Sequence, residues 1–411
     1  MNELFETITL LGVLQGAGLA TALCIRKANH LASRLLGALV GSVALMLLFG
    51  YVSRRWGFNG HPHLIGLGIP LPFLFTPLLY LYVSALTRPR ERLQPRDLVH
   101  ALPWLAFVVF MAQTFYLQGS EQKLLLLNAH MKGQLHPGMM VFNVVQIVQA
   151  TAYLFAAHRE LRRHEQRMEG YYSDLSTVDL RWLATIILCN ALVWSIVAVQ
   201  NVAELLPGYG GWFTQLDSIV QLGSALFIFL IGYIFLWQPD LTEKTRAARR
   251  FEVSPEPPAL EAPATEPPAP EEIAPRQPAN DPRLPRYQRN RLDDEEASRL
   301  ATTLQRLMQE KEPFRDASLT AQELADELAV SPHTLSQILN VHIGQTFYAF
   351  VNGYRAEALK VALIDPSCAE RGVLELALEA GFNSKSTLNS FFKQHTGMTP
   401  TRFRQQAAHR R

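Results

Sequence analysis

Charge is what this sequence is shortest of. Asp, Glu, Lys and Arg make up 18% of its 411 residues, against roughly 25% in an ordinary soluble domain. The shortage is uneven, because residues 1–240 hold nearly all the long apolar runs and the residues after them most of the pairs of acids and bases. The net charge of +2 and the mean hydropathy of +0.05 are therefore averages over two unlike parts and identify no partner. Cysteine is scarce too. Cys24, Cys189 and Cys368 lie far apart, which excludes a disulfide framework and a CxxC metal site. No Lys or Arg precedes the first apolar stretch, so the basic n-region of a cleaved signal peptide is missing and this stretch is expected to be retained. The apolar runs hold no mid-span Lys for a Schiff base, no HExxH pair and no GxSxG elbow. No catalytic residue, metal or cofactor is expected.

What is present, first, is a series of apolar segments. A helix needs about 20 mostly apolar residues to cross hydrocarbon, since every backbone N–H and C=O must be satisfied within it. Seven segments meet that test, near Leu4 to Ile25, Leu35 to Val52, Leu64 to Leu86, Ala101 to Leu117, Met139 to Ala157, Leu183 to Ala203 and Thr214 to Trp237. Pro70, Pro72 and Pro77 are expected to kink the third. Lys and Arg mark the inner loops. Arg26, Lys27 and Arg34, then Arg88, Arg90, Arg92 and Arg96, then Arg159, Arg162, Arg163 and Arg167 occupy the odd-numbered loops, whereas the even ones carry only Arg54, Arg55, Lys123 and Lys132. The N-terminus is thus expected outside and the C-terminus inside.

Polar residues within the segments are few, and in lipid they face a bundle interior or a cavity. Asn143, Gln146 and Gln149 recur every three residues in the fifth segment, Gln200, Asn201 and Glu204 end the sixth, and Gln215, Asp217 and Gln221 open the seventh. They are candidates for a ligand pocket open to the outside; the plainer reading is interhelical hydrogen bonding at about 0.6 kcal/mol each.

Residues 251–290 contain 11 of the 25 prolines. Such a segment buries too little to fold and is expected to be an extended tether between a membrane domain of residues 1–240, with a basic stretch just beyond it, and a soluble domain of residues 291–411. In the soluble part the pattern turns amphipathic and helical. LDDEEASRLATTLQRLMQEK sets Leu300, Leu304, Leu307 and Met308 on one face. SLTAQELADELAVSPHTLSQILN reads as a helix from about Ala321 to Leu328, a short turn, then a helix from Pro332 to about Val341 with Ser331 as N-cap. That is helix-turn-helix geometry, with Leu324, Ala325, Leu328, Leu335 and Leu339 as its buried joint and His333, Thr334, Ser336 and Gln337 exposed. After a connecting helix from about Gln345 to Ala362, VLELALEAGFNSKSTLNSFFKQHTG repeats the plan. There Leu374, Leu376, Ala377 and Ala380 are expected to pack against Leu388, Phe391 and Phe392, and Ser384, Lys385, Ser386, Asn389, Ser390 and Lys393 to line the outer side. The motifs fall at about 320–341 and 373–395. No acid follows Glu379, while Lys385, Lys393, Arg402, Arg404, Arg410 and Arg411 do, which predicts a basic edge for phosphate.

The stretches ELADELAVSPHTLSQILN, GQTFYAFVNGYRAEALKVAL and ALEAGFNSKSTLNSFFKQHTGMTPTRFR resemble the AraC/XylS family of bacterial transcription regulators, over about residues 290–405, and the whole chain resembles its membrane-tethered branch. The seven apolar segments and the resemblance together lead to the expectation of an all-α protein, a seven-helix transmembrane bundle plus a cytoplasmic domain of two helix-turn-helix units. By the same resemblance, each second helix enters one of two successive major-groove segments of double-stranded DNA, with His333, Thr334, Gln337, Lys385, Ser386, Asn389 and Ser390 at the contact positions. Gln337 and Ser390 stand where that family commonly has Arg, so base reading is either weaker or carried by Gln337 and Asn389, which suit adenine. The expectation is a non-enzymatic regulator in the bacterial inner membrane, embedded in membrane lipid and binding promoters as a homodimer. Its signal is an unknown small molecule or envelope cue, acting through dimerisation or effective concentration because a flexible tether transmits rotation badly. The rivals are a transporter or membrane enzyme with a regulatory tail, and a protein-binding adaptor.

Overall fold

In the computed structural model, the described residues are 2–25, 30–56, 62–88, 92–131, 136–175, 180–203, 213–237 and 294–409. The Pro-rich tether and the basic stretch before it lie outside them. The described residues are helical almost throughout and contain no strand, only an isolated antiparallel bridge between Tyr172 and Thr320. They form two compact units, one from residues up to His164 together with 180–237, the other from Glu165 to Leu175 together with 294–409.

The first unit comprises α1 (Asn2–Ile25), α2 (His30–Trp56), α3 (Pro72–Thr87), α4 (Leu102–Met111), α5 (Ser120–Met131), the larger part of α6 (Pro137–Met168), α7 (Arg181–Ala203) and α8 (Phe213–Trp237). Among the described residues, five stretches are long and apolar enough to cross a membrane: Glu3–Ile25, Leu31–Arg55, Pro95–Tyr116, Pro137–Met168 and Trp182–Val202. Pro72–Thr87 and Ser218–Ile234 are apolar but shorter. The third expected segment is thus cut back at its start. Gly66 has φ +78°, and Pro70 and Pro72 follow it closely, so residues 62–71 form a 3-10 turn and further turns before α3 begins. The fourth is a composite, a 3-10 helix (Pro95–Ala101) leading into α4 and a π turn (Ala112–Tyr116) closing it. α5, in a stretch read as loop, is too short to span.

Small residues bring the first unit's helices close, as expected where packing rather than hydrophobic exclusion drives association. A Cβ at Gly16 of α1 would lie 2.7 Å from Ala44 of α2, and one at Gly12 would lie 3.1 Å from Ala225 of α8. α6 is tied to α3 by polar bonds. Pro77 has no N–H to give the carbonyl of Phe73 four residues earlier, and Gln149 of α6 donates its Nε2 to that oxygen at 3.1 Å. Lower down, the Arg88 guanidinium donates to both carboxylate oxygens of Glu160, at 2.7 and 2.5 Å.

The second unit contains α9 (Asp294–Glu310), α10 (Ala321–Glu327), α11 (Pro332–Gln337), α12 (Phe347–Ile364), α13 (Val373–Glu379), α14 (Lys385–Thr396) and α15 (Pro400–His409). It has two cores. Leu304, Met308, Leu324, Leu335, Leu339, Phe350 and Val351 build one, and Leu359, Leu376, Ala377, Phe382, Leu388 and Phe392 the other. α12 contributes its first half to one and its second half to the other, so it is the common spine. One expected core residue is outside: Leu374 is 48% exposed. Val373, Leu376, Ala377 and Ala380 already fill the inward stripe at spacings of three and four, and Leu374 falls on the opposite side with Leu378.

Candidate nucleic-acid interface

Each helix-turn-helix unit is fixed by capping. Thr320 opens α10 with a capping box: its Oγ1 accepts from the N–H of Glu323 at 3.3 Å, and the Glu323 carboxylate accepts from the N–H of Thr320 at 2.8 Å. After Ala329, at φ +54°, Ser331 starts α11 by accepting from the N–H of Thr334 at 3.0 Å. The second unit repeats this, with Gly381 at φ +96° in the turn and the Ser384 hydroxyl accepting from the N–H of Thr387 at 3.1 Å. Pro332 at the first position of α11 gives up only an N–H that has no helical partner there.

These caps fix what each second helix presents. On α11, His333 is exposed, while Thr334, Ser336 and Gln337 are half-buried. The Thr334 hydroxyl is bonded to Ser331 at 2.8 Å, and Ser336 Oγ accepts from Nδ2 of Asn340 at 3.1 Å. Asn340 is exposed one turn beyond Ser336 and continues this polar face; sequence reading missed it, although its spacing of four from Ser336 was visible. α11 then relaxes into a π turn over Ile338–Ile343 and ends at Gly344. On α14, Lys385, Ser386, Ser390 and Lys393 are exposed and Asn389 is half-buried. Ser384 is spent as the cap. Ser390 turns its hydroxyl back to the carbonyl of Ser386 at 2.8 Å, so Lys385, Asn389 and Lys393, one turn apart, are the groups left to reach outward.

Charge around α14 is narrower than the sequence implied. Arg404 is half-buried and donates to the carbonyls of Arg371 at 2.7 Å and Cys368 at 3.0 Å, which commits it to holding α15 against the turn before α13. Arg410 and Arg411 lie outside the described residues. Lys385, Lys393 and Arg402 are the exposed cations near the second unit's outer face. The acids nearby are paired. Arg371 bridges Glu375 and Glu379, and its hydrogen bond holds the Glu379 carboxyl below its ordinary range. Lys360, then His395, do the same for Glu357.

In the first unit, Gln149 is buried and bonded to Phe73, while Asn143 and Gln146 are half-buried on the same side of α6. Gln200 and Asn201 are half-buried at the end of α7, and Gln221 of α8 is buried where a Cβ on Gly50 would touch it. Gln149 is thus committed to a backbone carbonyl and not to another member of this set. Asp217 lies in α8, but its side chain, like Gln215, is outside the described residues, as is Glu204. Among the described residues no group of His, Cys, Asp and Glu is arranged to hold a metal ion.

Residues 324–406 match the family model described as a helix-turn-helix domain. No curated protein and no solved structure matches the chain. The matched stretch takes in α11 and the whole second helix-turn-helix, and it begins inside α10.

Proposed function

We propose, from the premise that residues 324–406 are an AraC-type helix-turn-helix domain of a DNA-binding transcription regulator, that the chain is a membrane-embedded one-component regulator. In this reading residues 1–240 sit in the bacterial inner membrane with the N-terminus outside, and the C-terminal domain of residues 291–411 is cytoplasmic. α11 and α14 read two neighbouring major-groove segments, a pair of chains occupies a promoter, and the signal is perceived in or outside the membrane. The observation that carries the reading is the repeat itself: two capped helix-turn-helix units on one spine, each turning a polar second helix outward. A major groove about 12 Å wide admits a helix of that kind. Lys385 and Lys393 supply phosphate contacts, and Gln337 and Asn389 supply donor and acceptor pairs suited to adenine. The apolar stretches of the first unit support the membrane part. The amides of α6, α7 and α8 are the candidate lining of a signal pocket.

Genome-wide DNA occupancy of the intact chain, beside the chain carrying Lys385→Ala and Asn389→Ala, tests this. Sharp peaks that vanish in the variant are expected. Peaks identical in both chains would remove the assigned interface, and absence of peaks in every growth condition would remove the regulator reading.

A further inference from the structure

The backbone after α6 does not stay with the helices that precede it. Residues 165–175 belong to the compact unit that holds the helix-turn-helix pair. Their seat is built around a buried cation. Arg355 of α12 is 1% exposed, and its guanidinium uses all its donor positions. Nε donates to the carbonyl of Phe314 at 2.7 Å, one terminal nitrogen to the Asn352 side chain at 3.2 Å and the Ser173 carbonyl at 3.3 Å, and the other to the Asp316 carbonyl at 2.7 Å and the Ser173 hydroxyl at 3.0 Å. Asn352 adds a bond to the same Ser173 carbonyl at 2.8 Å, and the Ser173 hydroxyl donates to Leu319 at 2.6 Å. Burial pushes the Arg355 guanidinium down to about 10, with the charges of Asp174 and Asp316 opposing, so it is cationic at neutral pH.

The segment also completes two helix starts. The first N–H groups of a helix have no partner inside it. Tyr171 offers its carbonyl to the N–H of Ala321, the first residue of α10, at 3.0 Å, and Glu169 offers its own to the N–H of Tyr348, near the start of α12, at 2.9 Å. One short stretch therefore caps the opening helix of the first helix-turn-helix and the spine of both. The same node reaches the second unit, because a Cβ at Gly381 would run into the Phe314 carbonyl and lie 3.0 Å from Nε of Arg355. A buried guanidinium deprived of Ser173 would keep unmatched donors, which is costly. The seat thus engages the hydroxyl of Ser173 together with the backbone carbonyl of the same residue.

We propose that residues 169–174 are the coupling element of the protein: docked on Arg355 and Asn352, they convey changes in α6 to the joint between the two helix-turn-helix units, and so set DNA affinity without passing through the Pro-rich segment. The inference rests on the regulator reading. Two helices must meet two successive groove segments at once, so a shift in their joint changes affinity while leaving each helix intact. Covalent continuity from α6 supplies the route, and a two-state joint biased from elsewhere is what coupling requires.

The test uses the full chain in nanodiscs of phosphatidylethanolamine and phosphatidylglycerol, comparing wild type with Ser173→Arg, which brings a second cation to Arg355. Amide exchange at Ala321 and Tyr348 is expected to rise at least about tenfold in the variant, with the amides of α14 unchanged as proof that the domain stays folded. Affinity for a duplex taken from an occupancy peak is expected to change at least about fivefold with an unaltered salt slope, whereas inserting twenty residues into the Pro-rich segment leaves it unchanged. Equal exchange in the two chains overturns the seat. Altered exchange with affinity within about twofold of wild type overturns the coupling. Failure of the regulator reading shows itself separately, as a chain without peaks or a duplex whose binding ignores Lys385→Ala, while the exchange result still decides whether the segment is docked.

Discussion

Ala329 and Gly381 occupy the same place in the two turns, each two residues past the end of its first helix, and each has a positive φ, +54° and +96°. An L side chain in this region is strained by about 1–2 kcal/mol, so the first turn carries a strain that the second avoids. Ala329→Gly should therefore stabilise the first unit by about 0.5 kcal/mol, the relieved strain exceeding the added freedom of the unfolded chain. Gly381→Ala should cost more than about 2 kcal/mol, because a Cβ there adds a collision with the Phe314 carbonyl to the strain. Hydrogen-exchange opening energies of α10 and α13 would measure both, and equal effects at the two sites would contradict the argument. The proposed contact residues separate in the same way. Lys385→Ala should weaken binding of all duplexes alike and lower the salt slope by about 1. Asn389→Ala should relax preference at one base pair, by about 1–3 kcal/mol. Binding titrations over a range of salt, on matched and single-substituted duplexes, distinguish these. The outward sides of α11 and α14 were legible because N-caps and turn residues fix which side of a short helix is buried. Arg404 was not: its charge is plain in the sequence, but its use as a backbone clamp depends on where α15 folds back.

At the scale of elements, the helix pair α3 and α6 shows how a break in one helix is repaired by another. Pro77 orphans the Phe73 carbonyl, and Gln149 fills it. Gln149→Leu should then lower stability by about 1–3 kcal/mol, the cost of an unsatisfied buried carbonyl. Pro77→Ala restores an N–H at position 77, so adding Gln149→Leu to that variant should cost much less. Thermal unfolding of the four chains in detergent gives the coupling energy, and strictly additive effects would mean that Gln149 does not serve the kink. This also explains what the sequence does and does not convey about these helices. Proline announces that a bond will be missing, and periodicity announces a polar stripe on α6. Only the packing shows that the one answers the other, and that one member of a supposed pocket lining is engaged with the scaffold. The shortened start of α3 has the same origin, since Pro70 and Pro72 were visible in the sequence but neither the left-handed φ of Gly66 nor the turn they jointly make was.

The whole molecule brings a constraint that charge counting lacks. Residues 165–175 and 294–409 form one compact unit, so they must lie on the same side of any membrane the chain crosses. α7 and α8 are the described helices between them, so in the reading of residues 1–240 as the membrane domain both cross or neither does. In the proposed reading, where α7 crosses the membrane, α8 (Phe213–Trp237) crosses with it, and its 25 residues are long enough to do so. With the DNA-binding unit in the cytoplasm, as proposed, the end of α6 bearing Arg159, Arg162, Arg163 and Arg167 lies inside as well, in agreement with the excess of basic residues there. No pattern in the sequence marks Tyr171, Ser173 or Asp174 for that role, because the partners that give them meaning lie 140 or more residues away. In a chain whose three cysteines are replaced by Ser, Glu121→Cys should react with a membrane-impermeant maleimide in intact cells. Gln166→Cys and Gln309→Cys should react only after permeabilisation. Opposite behaviour of positions 166 and 309 would mean that α7 and α8 do not both cross, and would dismantle the docked segment and the proposed route of signalling together.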